Sequence, residues 1–368
     1  MVNLGPPNSK RGRPPGRTGS GLQKPGSIPD FPFNLSEIIT APGEDEEQGY
    51  VPLPLEQLAT ERGTTFDIYL KGKLKDSPQP SFFLCCPRGQ VFPGEWREKL
   101  QQAGISRVYF AAADVPTAID YLQGRLEETL ESPHRSTLEK AILTYDVLQL
   151  WTRKFFNSDL ARAEEQVDLS LKFIDGLLHL ARKEDSNMGF VFEIRGHDFD
   201  LYTHCLNVCL LSLAFVSFLR WDQQKASAFG LGALLHDIGI TEISPGVLRK
   251  KAPLTLDERE RIERHPNQGF KILKNFGTIS HEALMMVLQH HENGDGSGYP
   301  QKLRLDAIHP WARILRIVDT YEAMTSDRPW RPARPPRETL WSMRDDWEKS
   351  QIYDPVYLKA FIKFLAGQ

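Results

Sequence analysis

The chain is 368 residues long, 40% hydrophobic and 25% charged, the balance of ordinary globular domains rather than of a disordered or fibrous chain. Its 45 Lys and Arg against 48 Asp and Glu leave a formal charge of −3, so no global basic field is there to attract nucleic acid. The length calls for two domains, and four cysteines, two adjacent and two a helical turn apart, do not make a disulfide framework; a reducing, cytoplasmic setting is expected.

Residues 1–30 include SKRGRPPGRTGSGLQKPGS, rich in basic residues and nearly devoid of apolar ones. Such a segment cannot bury enough surface to offset its ordering entropy, and a flexible basic arm is expected. Its polar, proline-rich start carries no secretory-leader pattern. From residue 31 to 131 the patterns are short and mixed. FDIYLKGKL, SFFLCCP and ISRVYFAA are strand candidates, with GEWREKLQQAG and VPTAIDYLQGRLEETLE as helices and EDEEQG at 44–49 as an exposed loop. These features predict a small α+β domain, regulatory or dimerising in role, without a phosphate loop or a metal-ligand cluster.

Beyond residue 131 the strand signals nearly vanish. Linking helices are expected over 132–186 and an all-α bundle over 187–368. The amphipathic segments are STLEKAILTYDVLQLWTRKFF, AEEQVDLSLKFIDGLLHLARK, LYTHCLNVCLLSLAFVSFLRW, QKASAFGLGALLHDIG, LTLDERERIERHPNQGFKILKNF, ISHEALMMVLQHHE and WARILRIVDTYEAMTS, in which apolar residues recur at three- and four-residue spacing. The most apolar run, Val208–Leu219, contains two serines and is too short for a membrane span. The fold class is therefore mainly α, with a smaller α+β domain ahead of the bundle.

Five of the ten histidines stand in an ordered set with carboxylates. His204 lies one turn after Asp200, so the two share a helix face. His236 and Asp237 close a helix in LLHDIG, and His265 falls within the long helical stretch of 254–276. His290 and His291 end the next helix, and Asp319 sits in RIVDTYEAMTSDRPW. Unpaired imidazoles and carboxylates are costly to bury, and several together are tolerated mainly when a cation organises them. Facing helices of a bundle are a natural frame for such a site. Nitrogen and oxygen ligands without thiolate suit iron, manganese, zinc or nickel better than magnesium or calcium. The surplus of ligands argues for at least two ions, with a carboxylate such as Asp237 able to bridge them. His134, His179, His197, His281 and His309 fall outside this set and are read as structural or surface groups. Asp198 is read as a helix cap, Cys205 and Cys209 as core packing, and Glu292 as either a partner of a ligating imidazole or a solvent-facing residue.

The order H…HD…H…HH…D, with HHENGDGSGYP at 290–300 and DTYEAMTSDRPWR at 319–331, resembles the HD-GYP group of the HD phosphohydrolase superfamily from about Asn187 onward. The resemblance implies hydrolysis of cyclic di-GMP to linear pGpG, GMP or both, by a hydroxide that metals activate. It implies His204, His236, Asp237, His265, His290, His291 and Asp319 as ligands of two ions, iron or manganese, with Asp200 in the place where some members hold a third. His236 and Asp237 would be the catalytic pair. Arg328 and Arg331 would hold the phosphates, and Gly298 and Tyr299 would belong to the turn that shapes the nucleotide pocket. Other implied partners are a diguanylate cyclase or an effector protein, and a second copy of the chain in a homodimer. One departure stands out: HDIGK in the family is HDIGI here, with Ile240 in the lysine's place. Its loss is expected to slow hydrolysis, weaken binding or shift substrate choice, with Lys250 or Lys251 as nearby replacements. The rival reading is a degenerate receptor that binds the nucleotide and signals without turnover. A third keeps the enzyme and changes the substrate to another cyclic dinucleotide.

Overall fold

The computed structural model describes residues 49–72, 81–157, 164–183, 194, 201–248, 250, 252–328 and 331–367. The expected basic arm, residues 44–48 of the acidic loop, Asn187, His197, Asp198, Asp200 and Lys251 lie outside the described residues.

The chain first builds a four-stranded sheet from β1 (Tyr50–Pro54), β2 (Ile68–Gly72), β3 (Ser81–Cys86) and, after helix α1 (Gly94–Gln102), β4 (Arg107–Ala111). The strand order is β1-β4-β2-β3 and all pairs are antiparallel. Three strands fall on the three apolar runs read from the sequence. The fourth, β1, reads YVPLP, and its two prolines hide it from a pattern search. It forms because it lies at the sheet edge, where a residue without an N–H breaks no ladder. Ile68, Leu70, Val108 and Phe110 turn inward, and Phe66 links Phe110 of β4 to Tyr121 of α2 (Val115–Glu131) with ring centroids 5.1 and 5.4 Å apart.

Helix α3 (Thr137–Phe156) opens with a capping box between Ser136 and Glu139, which satisfies two otherwise orphaned N–H groups. It packs against α2 on one side and against α4 (Glu164–Lys183) and α5 (Leu201–Phe218) on the other. Sheet and bundle thus share one continuous apolar core. Every residue of α5 from Thr203 to Val216 is buried, so α5 has no polar stripe and is the hub of the bundle. By length and composition it is, among the described helices, the one able to cross a membrane, yet it sits inside the protein. It is longer than the apolar run read from the sequence, because it begins with the site residues.

Around the hub come α6 (Gln223–Leu235), the 3-10 turn Ile238–Glu242 and the short α7 (Pro245–Leu248). Next are α8 (Leu256–Glu263), α9 (His265–Leu273) and α10 (His281–Gln289). The chain closes with α11 (Pro310–Thr325), α12 (Pro336–Ser350) and α13 (Pro355–Leu365). The stretch over 254–276 reads as one helix but is two, α8 and α9, meeting at Arg264. Pro266 is the reason: its ring and missing N–H bar it from a helix interior and suit it to a first turn. His265 therefore opens a helix instead of standing in the middle of one.

Candidate metal centre

The predicted ligands come from five places that the fold brings to one point. His204 projects from the first turn of α5, His236 caps the C-terminus of α6, and Asp237 follows it into the 3-10 turn. His265 starts α9, His290 caps α10 with His291 beside it, and Asp319 lies on the buried face of α11. Gly239 explains how close these elements come. A β-carbon there would run into the backbone of His265 and Gly269, so the HDIG turn lies directly on the start of α9.

The imidazoles form a connected set: ring centroids are 5.4 Å apart for His204–His236, 5.0 Å for His236–His290, 5.2 Å for His265–His290 and 4.2 Å for His290–His291. Two groups of ligand atoms lie within 4.8 Å of one another, Asp237 with His265, His290 and His291, and His204 with His236 and Asp319. Asp237 stands between them. Its Oδ1 is 3.0 Å from His265 Nε2 and 3.5 Å from His290 Nε2, while its Oδ2 is 3.5 Å from His236 Nε2 and 3.8 Å from His204 Nε2. One oxygen faces each group, which is the posture of a bridging carboxylate.

The hydrogen-bond pattern tests whether cations fit. Nδ1 of His236, His265 and His290 each lies 2.7–2.9 Å from a carbonyl of its own chain turn, that of Ala233, Ile262 and Val287 respectively. An Nδ1–H that donates to a carbonyl leaves the lone pair on Nε2. Nε2 of His265 and Nε2 of His290 then face each other across 3.1 Å, two lone pairs that repel unless a positive charge lies with them. His236 Nε2 and Asp237 Oδ1 are buried without a hydrogen-bond partner, a costly arrangement in a dry interior. The residues therefore fit metal ions, and for these groups a hydrogen-bonded core explains less.

Charge is divided unequally over the site. Burial holds His290 down at about 4, and burial with neighbouring His290 and His265 holds His291 well below the imidazole range; both are neutral and ready to donate a lone pair. For His204, burial disfavours the cation, but Glu322 and Asp319 outweigh it and lift the imidazole to about 10. Asp237 and Asp319 sit well below the carboxylate range: burial opposes this, and the surrounding histidines prevail.

Glu322 is the residue the sequence reading missed. It lies three residues after Asp319 on α11, is 1% exposed, and its Oε2 is 2.5 Å from His204 Nδ1. Oε1 accepts from Ser326 Oγ at 2.6 Å and from Asn207 Nδ2 at 3.1 Å, and Asn207 in turn accepts from Tyr145 of α3 at 2.6 Å. A carboxylate behind a ligating histidine fixes its tautomer and orientation. The i, i+3 spacing was the available signal. Cys205, read as core packing, is buried, and its Sγ lies within 4.8 Å of ligand atoms of His236 and Asp237.

The predicted phosphate-binding residues divide. Tyr299 lies over His291 with ring centroids 4.7 Å apart and forms a wall of the site. A β-carbon on Gly298 would collide with the backbone of His291, Glu292 and Asn293, so this glycine closes the loop on itself. Glu292 is neither an imidazole partner nor solvent-facing: it is buried and accepts from Gln301 N at 2.6 Å and Leu303 N at 2.9 Å. Arg328 lies 3.5 Å from Glu322 Oε2 and 3.3 Å from His204 Nδ1, behind the ligand. Arg331 donates to the carbonyls of Ala323, Met324 and Pro332 at 2.6–3.0 Å, where it complements the C-terminal end of α11. Lys250 pairs with Glu258 at 2.6 Å. Ile240 is buried.

Comparison with known proteins agrees with this geometry. Residues 199–356 match the family described as HD domain. The chain is 32% identical over 209 residues to the cyclic di-GMP phosphodiesterase PA4108 of Pseudomonas aeruginosa, covering 56% of this chain and 47% of the relative. It is 30% identical over 167 residues to a cyclic di-GMP phosphodiesterase of Thermotoga maritima, covering 45% of each. The chain thus spans about half the length of the curated relatives it matches. Among solved structures, Bd1817, an HDG"Y"P protein from Bdellovibrio bacteriovorus, shares the fold with a TM-score of 0.64 over 86% of this chain and 100% of that one, at 19% identity.

Proposed function

We propose that the protein is a metal-dependent phosphodiesterase that opens cyclic di-GMP to pGpG, GMP or both, a reading supported by the match of residues 199–356 to the HD domain family and by the HDIG and HHENGDGSGYP segments. The observation that carries the proposal is Asp237 with one oxygen toward each histidine group, beside a buried His236 Nε2 that lacks a hydrogen-bond partner. His204, His236 and Asp319 would hold one divalent ion, and His265, His290 and His291 a second, with Asp237 shared. Iron or manganese suits this nitrogen–oxygen set. Bound there, the ions supply Lewis-acid charge and water of lowered pKa. The chain's own part is to aim Nε2 of His204, His236, His265 and His290 inward through their Nδ1 contacts, to keep Asp237 ionised, and to line the pocket with Tyr299.

The four cysteines are buried free thiols, which supports a cytoplasmic setting. The α+β unit over 31–131 is a regulatory domain in this reading, joined to the catalytic bundle over 187–368 by the helices of 132–186.

The test uses full-length protein purified without oxygen, with metal content measured. It is incubated with cyclic di-GMP, and products are followed by chromatography. Linear dinucleotide or GMP formed in proportion to bound metal is the expected result. Full metal occupancy with nucleotide bound but uncleaved would overturn the enzyme in favour of the receptor.

A further inference from the structure

A cyclic dinucleotide brings two phosphodiester anions to the site, and the cations first expected to meet them are committed elsewhere. Arg331 caps α11, Lys250 is paired with Glu258, and Arg328 stands beside Glu322 behind His204. Arg316 differs from all three. It lies on α11 one turn before Asp319, half-buried, and its guanidinium reaches the loop that follows His291. Nε and one terminal nitrogen donate to Asn293 Oδ1 at 3.1 and 3.0 Å, and the other terminal nitrogen donates to Thr320 Oγ1 at 2.8 Å. Both acceptors are neutral. Among the described residues no carboxylate forms an ion pair with Arg316.

A guanidinium has five N–H donors, and three are used in these bonds, so two remain. The guanidinium lies 5.8 Å over the Tyr353 ring, and its remaining N–H groups can form charge-assisted bonds to an anion. Arg316 also sits at the right edge of the site: Asn293 is two residues past His291, and the same loop carries Tyr299 over the His291 ring. Its charge is felt there, as one of the influences that hold His291 low after burial and its neighbouring histidines.

Resting on the phosphodiesterase reading, we propose that Arg316 holds a phosphate of the cyclic dinucleotide through its two remaining N–H groups, and that it supplies from α11 the positive charge that Ile240 no longer supplies from the HDIG turn. A planar fork suits phosphate oxygens, and the contact to Asn293 orients that fork before substrate arrives.

The test compares wild type with Arg316→Gln, Arg316→Lys and Asn293→Ala in metal-loaded, full-length protein. Two quantities are read: KM for cyclic di-GMP, and direct binding of inorganic phosphate by calorimetry. Arg316→Gln should weaken both by about tenfold or more, the loss of a charge-assisted contact, with metal content unchanged. Arg316→Lys should recover phosphate binding to within about threefold, because it keeps the charge and loses the fork. Asn293→Ala should leave phosphate binding within about twofold, since the charge remains. If Arg316→Gln leaves both quantities as in wild type, or if Asn293→Ala reproduces its full loss of phosphate binding, Arg316 only anchors the loop and the inference is wrong. Wild-type protein that never turns over cyclic di-GMP would overturn the proposed substrate. Phosphate binding that still depends on Arg316 would then uphold the anion site by itself.

Discussion

At the scale of single residues, the site works by controlling where protons and lone pairs sit. His204 carries this furthest, because Glu322 holds its Nδ1 and Asp319 lies 3.2 Å from its Nε2. With the metal-free imidazole lifted to about 10, the stabilisation that its cation gives the folded chain is present below the unfolded value of 6.5. It is lost as pH rises through about 10. A metal ion on Nε2 must displace that proton. Metal loading at pH 8 is therefore expected to release a proton from His204, and apparent affinity should climb with pH across this window. Calorimetry in two buffers of different ionisation enthalpy would measure the release. Glu322→Gln removes the carboxylate but keeps the shape. Its metal affinity should fall by about 10–100-fold, the usual effect of losing a partner behind a ligand, and the proton release should shrink with it. An unchanged affinity in a chelator competition would mean that Glu322 does not orient His204.

At the scale of elements, the ends of helices matter more than their middles. His236 and His290 cap the C-termini of α6 and α10, and His265 opens α9, so short turns set the spacing of the ligands. Gly239→Ala tests this, since its β-carbon has no room against α9. We expect destabilisation of about 1–3 kcal/mol from overpacking together with loss of bound metal, read by denaturant titration and metal analysis. Full metal content in a stable Gly239→Ala protein would show that the two elements can separate freely. Helix α3 is the other telling element, because adjacent residues face different parts of the fold. Tyr145 reaches Asn207 at the site, while buried Asp146 accepts from Gln57 of the sheet unit at 2.5 Å. Burial pushes the Asp146 carboxyl up to about 7 against the opposing Gln57 bond. A raised acid works against the fold as it ionises: the penalty is absent below the unfolded value and grows as pH rises to about 7, where it is complete. Asp146→Asn should therefore raise the thermal midpoint at pH 8 and leave it nearly unchanged at pH 4. Equal midpoints of the two proteins at pH 8 would mean that the burial penalty is absent.

For the molecule as a whole, one core runs from the sheet to α13, and the candidate metal centre lies where α5, α6, α9, α10 and α11 meet. Ions that bind the folded chain and not the unfolded one stabilise it by mass action, about 2.7 kcal/mol at a hundredfold excess over Kd. Chelation should thus lower the thermal midpoint and abolish turnover, and anaerobic return of iron or manganese should restore both. A chelated protein with the same midpoint and the same turnover would remove the metals from the account.

Much of this was legible along the chain. The periodic helices announce an all-α bundle, and the ordered histidines with the HDIG and HHENGDGSGYP segments point to a candidate metal centre within it, because ligand type and apolar spacing are local properties. Other features were not legible, for reasons that differ. The strand β1 is hidden by prolines that an edge position tolerates, and the break at Arg264 depends on how Pro266 is used. Glu322, Asn207 and Tyr145 look like ordinary residues of amphipathic helices until three helices converge on His204. The basic residues show the limit most clearly. The sequence singles out Arg328 and Arg331 by motif and Lys250 as a nearby replacement for the missing lysine, yet a cation's role depends on which acceptors lie within about 3 Å of it. Tertiary structure alone decided that those three have protein partners, and that Arg316 uses three of its five N–H groups in hydrogen bonds among the described residues, to neutral acceptors.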